Sequence, residues 1–272
     1  MSPPPAVPLA PVADTCQHPA MFKKLKQAFG VGGPSVDTVL STPAVYPGGV
    51  LQGEVRITGG SEPRDFNSLT LSLAATVEVE SGDDEYLSRI QFATLQVAGA
   101  GRLEAGVNTA VPFQMEVPWE APFNSLRGRR FERMKLGVQT RFDLPGGRDA
   151  TDFDPIDIHP LPVHEEVVSS MERVGFSLMS ADLEKGSIAG SSLGFYNEVE
   201  FRGHGKIPEA ELTFVTSPHE TRVVIELQRR GLLASRDRHS TLAGPTNEPF
   251  DWDSAIRQHL DELARASGRF FG

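Results

Sequence analysis

From Leu69 to Val79 every odd-numbered residue is apolar: Leu69, Leu71, Leu73, Ala75, Val77 and Val79. Thr70, Ser72, Thr76, Glu78 and Glu80 alternate with them. A period of two fits a strand with one buried and one wet face, and it does not fit the 3.6-residue repeat of a helix. The same alternation returns in Leu51, Val55 and Ile57, in Val111, Phe113, Met115 and Val117, and in Leu136, Val138 and Phe142. Turn formers separate these runs, among them Pro47-Gly48-Gly49, Gly59-Gly60, Gly82-Asp83-Asp84 and Pro145-Gly146-Gly147. Without long helices to make crossovers, the runs predict an all-β, antiparallel sandwich rather than a parallel α/β sheet.

A Pro-studded stretch, Asp154-Pro155-Ile156 to His159-Pro160-Leu161-Pro162, interrupts the series and predicts a domain junction. After it, Val163, Val167, Met171 and Val174 fit a short helix or an irregular lead-in. Strand patterns then resume in Phe195, Val199 and Phe201, in Leu212 and Phe214, and in Val223, Ile225 and Leu227. Asp251 is suited to cap a helix in which Trp252, Ala255, Ile256, His259, Leu260 and Leu263 share one face. The predicted organisation is a disordered Pro-rich leader over 1–20, with Met21 as an alternative start, and a short amphipathic helix over 21–34. A first sandwich follows over 35–160, a second over 161–248, and a C-terminal helix and tail over 249–272.

Composition narrows the function classes. The 272 residues carry a formal charge of −10, which argues against a nucleic-acid partner, since phosphate neutralisation needs a dominant basic face. Cys16 is the only cysteine, so no intrachain disulfide and no Cys-based metal centre can form. No run approaches the roughly 20 apolar residues of a membrane-spanning helix. The first residues, broken by Pro3, Pro4, Pro5, Pro8 and Pro11, lack the pattern of a signal peptide. The expected location is the cytoplasm.

Several strings occur in an order and spacing that match a known group. They are Val36-Asp37-Thr38-Val39-Leu40; Tyr46-Pro47-Gly48-Gly49 with Gly53-Glu54-Val55 and Gly59-Gly60; and Val111-Pro112-Phe113 with Val117-Pro118 and Pro122. Asp152-Phe153-Asp154-Pro155-Ile156 and Phe195-Tyr196-Asn197-Glu198-Val199-Glu200-Phe201, followed by Glu211-Leu212, extend the match. From about Met21 to the C-terminus the chain resembles the bacterial sporulation-control (stage-zero M) family, a branch of the arrestin-like architecture. The resemblance implies two tandem arrestin-like β-sandwich domains, no catalytic centre, no cofactor, and an adaptor or regulatory role linked to sporulation or cell-cycle control. The chain departs from the expected pattern at Asn197 and Val199, where Gln and Phe would stand.

Four features carry candidate chemistry. Gly190-Ser191-Ser192-Leu193-Gly194 matches the G-x-S-x-G pattern of Ser hydrolases, but its flanks predict loop then strand, without the helix that shapes a nucleophile elbow. Asp152, Asp154, Asp157 and His159 would alternate between two faces of an extended chain, so no metal site is expected there. Asp152, Asp154, Pro155 and Asp157 are instead expected to form a polar, solvated interdomain hinge. Arg127, Arg129, Arg130 and Arg133 form the densest basic run, suited either to gripping carboxylates or phosphates of a partner or to pairing internally. Phe22, Leu25 and Phe29 opposite Lys23, Lys24 and Lys26 could meet an anionic membrane weakly or dock on the first sandwich. The expectation is a non-catalytic adaptor that binds protein partners through loops and sheet edges, as a monomer or a homo-oligomer; a membrane-associated regulator and a Ser192 hydrolase are the alternatives.

Overall fold

The computed structural model describes residues 32–81, 84–203, 209–228 and 238–268. The leader, Cys16 and residues 21–31 of the basic helix expected over 21–34 lie outside these residues. The first half holds β1 (Ser35–Leu40), β2 (Ala44–Val45), β3 (Val50–Thr58), β4 (Arg64–Phe66), β5 (Ser68–Ser81), β6 (Asp84–Ala98) and β7 (Gly101–Leu103). It continues with β8 (Asn108–Glu116), β9 (Ser125–Leu126), β10 (Arg129–Arg130), β11 (Leu136–Asp143), β12 (Ala150–Pro155) and β13 (Asp157–Ile158). Helix α1 (Pro162–Arg173) leads to β14 (Ser177–Lys185), β15 (Phe195–Arg202), β16 (Glu209–Thr216), β17 (Glu220–Gln228), β18 (Arg238–Pro245) and α2 (Trp252–Gly268).

The fold is all-β and arrestin-like. In the first half the sheet β1-β3-β8 faces the strands β12-β11-β5-β6. Leu51, Val55, Phe113 and Met115 from one layer share a core with Leu69, Leu71, Leu73, Val138 and Phe142 from the other. The apolar set that predicted β5 is its core face, with Leu69, Leu71, Leu73, Ala75 and Val77 all 0% exposed, while Ser72, Ala74 and Glu78 on the opposite face are buried as well. Together these five remove enough apolar surface from water to anchor the sandwich, each large side chain contributing about 1.5–3 kcal/mol.

The second half is the antiparallel run β14-β15-β16-β17-β18, backed by α1 and α2. Val199, Phe201, Leu212, Val223 and Ile225 form its apolar face. Val167, Val168 and Met171 of α1 and Trp252, Ile256 and Leu260 of α2 join the same core. The spacing Val163, Val167, Met171 is thus a helix, and Asp251 is its neighbour's cap, its Oδ1 accepting from the Ser254 N–H at 3.0 Å. Among the described residues no helix is long and apolar enough to cross a membrane.

Strand β5 joins the halves. It pairs with β11 as far as Ala75↔Leu136, then runs on past the end of β11 and meets β14 in parallel through Glu78↔Glu184. One sheet therefore passes from β12 to β18. On its apolar side the halves are clamped by Asn197, whose Oδ1 accepts from the Phe123 N–H and whose Nδ2 donates to the Phe123 carbonyl, both at 3.2 Å. The residue that departs from the family pattern here pairs with backbone as another strand would.

The residues expected to form a solvated hinge lie in short strands, half-buried or exposed. Asp152, Asp154 and Pro155 belong to β12, in register with Thr140, Val138 and Gly137 of β11. Asp152 Oδ2 accepts from the Thr38 N–H at 2.8 Å. Asp157 lies in β13, which pairs in parallel with β2, and its N–H donates to the Pro43 carbonyl at 2.7 Å. A chain with prolines at its ends can still form a short edge strand, because the missing donors fall at strand termini.

Candidate functional site on the acidic face

Directly paired residues in a ladder point to one face of the sheet. On β14 and β15 the pairs Asp182↔Glu198 and Ser180↔Glu200 lie on the face opposite the core-facing pairs Ala181↔Val199 and Leu183↔Asn197. The row continues through Glu200↔Glu211 and Glu211↔Glu226. At the seam Glu184↔Glu78 adds a carboxylate from the first half. The face turned away from α1 and α2 is therefore acidic across β5, β14, β15, β16 and β17, with like charges side by side.

Burial and repulsion move these groups together. Burial pushes the Glu198 carboxyl up to about 8, and Glu211, Asp182, Glu184 and Glu200 add their repulsion. Burial likewise lifts Glu78 to about 7, aided by a hydrogen bond with Glu85 and opposed by Arg133. Asp182 rises to about 6 through burial and the charge of Glu200. Burial also raises Tyr196, beside this row, to about 12. Next to Glu200 and Glu211 lies a groove of about 270 Å³ lined also by Met179, Ser180, Arg202 and Glu209.

The arginine run reaches the seam from the other side. β9 and β10 form a two-residue hairpin in which Arg127 (φ 52°) and Gly128 (φ 72°) are both left-handed, the geometry of a type I′ turn. The Glu165 carboxylate holds that turn, accepting from the Arg127 N–H at 2.9 and 3.2 Å, and the Arg127 guanidinium lies 3.4 Å from Glu172. Arg129 donates to the Met179 carbonyl at 2.7 Å, where β14 bulges between Leu178 and Ser180. Arg130 pairs with Asp157. Arg133 lies 2.8 Å from Glu78 Oε1, an ion pair outside hydrogen-bonding geometry, and 3.6 Å from Glu85. All four side chains tie the loop to its own chain, through partners other than Asp152 and Asp154.

The remaining candidate groups are also engaged. Ser192 donates its hydroxyl to Glu120 Oε1 at 3.2 Å and its N–H to Oε2 at 2.8 Å, while Ser191 donates to Oε2 at 2.7 Å. The G-x-S-x-G loop is thus a β connection gripped by a carboxylate. His164 is fully enclosed: its Nδ1 accepts from the Leu161 N–H at 3.2 Å, which assigns the proton to Nε2, 2.9 Å from Thr216 Oγ1. Burial drives its pKa down to about 3 and keeps it neutral. The cavity beside it, between Phe123, Ser191 and Phe195, holds about 10 Å³, space for at most one water.

Sequence reasoning missed the acidic face. Its signal was present in the polar positions of the predicted strands, Glu78, Glu198, Glu200 and Glu211, but the register that stacks them was not.

Comparison with known proteins agrees with this architecture. The crystal structure of Spo0M, a sporulation control protein from Bacillus subtilis, superposes with a TM-score of 0.72 at 24% identity, covering 85% of this chain and 99% of that one. The sporulation-control protein Spo0M of Bacillus subtilis (strain 168) is 29% identical over 216 residues, 78% of this chain and 81% of its own length. The family profile described as SpoOM protein matches residues 22–231, and the chain belongs to that family of sporulation-control proteins.

Proposed function

We propose that this protein is a non-catalytic cytoplasmic adaptor that takes a basic segment of a protein partner on the acidic outer face of its second sheet. The observation that carries the reading is the row Glu198, Glu200, Glu211 and Glu226 on the face opposite the helices. Such a row repels itself, and a Lys- or Arg-rich segment relieves that repulsion while being steered towards it from a distance. The groove beside Glu200 and Glu211 supplies a place for one long basic side chain. Engagement of Ser192 by Glu120 supports a non-enzymatic reading, and internal pairing of the arginine run moves the expected contact from that loop to the sheet.

Crosslinking of tagged protein in its native host tests the proposal. Wild type is compared with Glu200→Lys/Glu211→Lys and with Arg127→Glu/Arg129→Glu/Arg130→Glu. Partners should be captured by wild type, captured less when salt is raised before crosslinking, and lost in the glutamate variant. A partner list unchanged in that variant, or lost only in the arginine variant, overturns the acidic face as the contact.

A further inference from the structure

Where β5 passes the end of β11 and lies against β14, one carboxylate oxygen from each of Glu78, Asp182 and Glu184 falls within 4.8 Å of the other two. Register explains the convergence: Glu184 is paired with Glu78, and Asp182 sits two residues earlier on the same face of β14. Glu78 is 6% exposed and Asp182 9%. Hard cations such as calcium hold oxygens at about 2.3–2.6 Å, so donors up to about 5 Å apart belong to one coordination sphere. The three oxygens meet that pairwise condition for calcium, whereas magnesium, which holds oxygens at about 2.0–2.1 Å, requires them to close in.

A second observation points to a ligand. Asp182 Oδ1 is buried and has no hydrogen-bond partner among the described residues, whereas buried carboxylate oxygens are ordinarily satisfied. The neighbouring cation, Arg133, reaches the cluster from its rim: it pairs with Glu78 and Glu85, and its side chain is 65% exposed. It leaves Asp182 in a buried position facing two further carboxylates.

We propose that Glu78, Asp182 and Glu184 bind one hard divalent cation, calcium or magnesium, at the seam between the two halves. An all-carboxylate set without His or Cys selects such ions over zinc or copper. The ion would satisfy Asp182, neutralise the repulsion across β5 and β14, and fasten the short parallel pairing that joins the halves. Glu85 from β6, Glu198 and Glu200 from β15 and Arg133 from the loop face the same cluster, so the site gains cation affinity as protons leave it with rising pH. Its three ligands are not among the residues lining the Glu200–Glu211 groove, so ion binding and partner capture are read on different substitutions.

Calorimetric titration of chelator-treated full-length protein with calcium chloride and, separately, magnesium chloride at pH 8 tests the site. One saturable ion per chain with at least one of the two salts is expected, together with a rise in Tm. Asp182→Asn should weaken that binding about tenfold or more, because ligand charge sets affinity, while its metal-free Tm stays equal or rises. Glu184→Gln should weaken it likewise and serves if the first variant fails to fold. Arg133→Gln, which removes the competing cation, should bind at least as tightly as wild type. No saturable binding of either ion up to about 10 mM, a range covering weak extracellular-type sites, overturns the proposal. So does wild-type affinity in the Asp182 and Glu184 variants, or weaker binding by Arg133→Gln.

Discussion

The two faces of the second sheet handle charge in opposite ways. On the helical side Arg173 of α1 forks onto Asp253 of α2, Nε to Oδ2 at 2.8 Å and Nη2 to Oδ1 at 2.7 Å, and also reaches Glu166 at 2.6 Å. Its guanidinium is held more firmly protonated than usual by Asp253 and then Glu166, and Arg173 in turn keeps the Asp253 carboxyl down near 2. On the open side, Glu78, Asp182 and Glu198 all rise because burial and like charges surround them. Matched charges there fasten one helix to another. Crowded carboxylates here, relieved at one edge where Arg133 pairs with Glu78, cost stability, a cost that the basic segment and the cation proposed above would offset.

The comparison breaks most severely where the helical face loses its packing. Trp252 is 3% exposed and lies so close to β18 that a Cβ at Gly244 would sit 2.7 Å from its ring. Its ring also meets Phe250 edge-on at 4.8 Å. Trp252→Ala should cost about 3–5 kcal/mol, the range for deleting a buried aromatic, read as a lower midpoint in urea. If the loss is below about 1 kcal/mol, α2 is dispensable to the sheet and the covered face is not what stabilises the second half.

A smaller effect, opposite in sign, is expected on the acidic face. Carboxylates whose folded pKa exceeds the unfolded value make the native state hold extra protons, so stability falls as pH rises between the two values. At pH 6.5 His164 is neutral in the folded state but still half protonated in the unfolded one, and that opposing contribution fades within about one pH unit; Glu198 (about 8) with Glu78 (about 7) outweighs it and governs the slope. Tm measured without divalent cations should therefore drop from pH 6.5 to pH 8.5. Below pH 6.5 His164 acts the other way: its depressed pKa makes the unfolded state the better proton acceptor, and stability is lost as pH falls towards about 3. Glu198→Gln should flatten the alkaline limb and raise stability at pH 8 by about 1 kcal/mol, discounted for partial solvent screening. A flat profile in wild type, or a destabilised Glu198→Gln, would show that the row is not under electrostatic tension.

How far these regions were readable from sequence follows from the range of the interactions. Alternation within one strand revealed β5, the buried side of β15 and the capped helix after Asp251, because each depends on residues a few positions apart. The same alternation holds Glu198 and Glu200 at the polar positions of β15. It could not reveal that β5 outruns β11 by several residues and meets β14 in parallel, since that pairing joins residues 106 positions apart at Glu78↔Glu184 and no local period encodes it. Nor could a basic run disclose its partners: Arg130 finds Asp157 and Arg133 finds Glu78 only after the hairpin and both sheets are in place. The prolines of 154–162 suggested a solvated linker because composition cannot distinguish an exposed loop from an edge strand whose donors happen to be the ones proline lacks.

The smallest effect is the sharpest contrast with Glu198→Gln, because the chemical change is the same. Asp253→Asn replaces a carboxylate by its isosteric amide, but at a site where the charge is matched by Arg173. Here the folded pKa is depressed, so the carboxylate contributes stability that is present above its unfolded pKa near 3.8 and lost as pH falls towards about 2. At neutral pH the variant should thus melt slightly below wild type, where Glu198→Gln melts above it. The Arg173 side chain is 45% exposed and that of Asp253 33%, so the loss should be modest and should shrink as salt rises towards about 1 M, where screening acts within about 3 Å. Thermal melts of both variants at low and high salt read the two signs side by side. If both substitutions move Tm in the same direction, the two faces do not differ in how they balance charge, and the acidic row loses its standing as a surface awaiting a cationic partner.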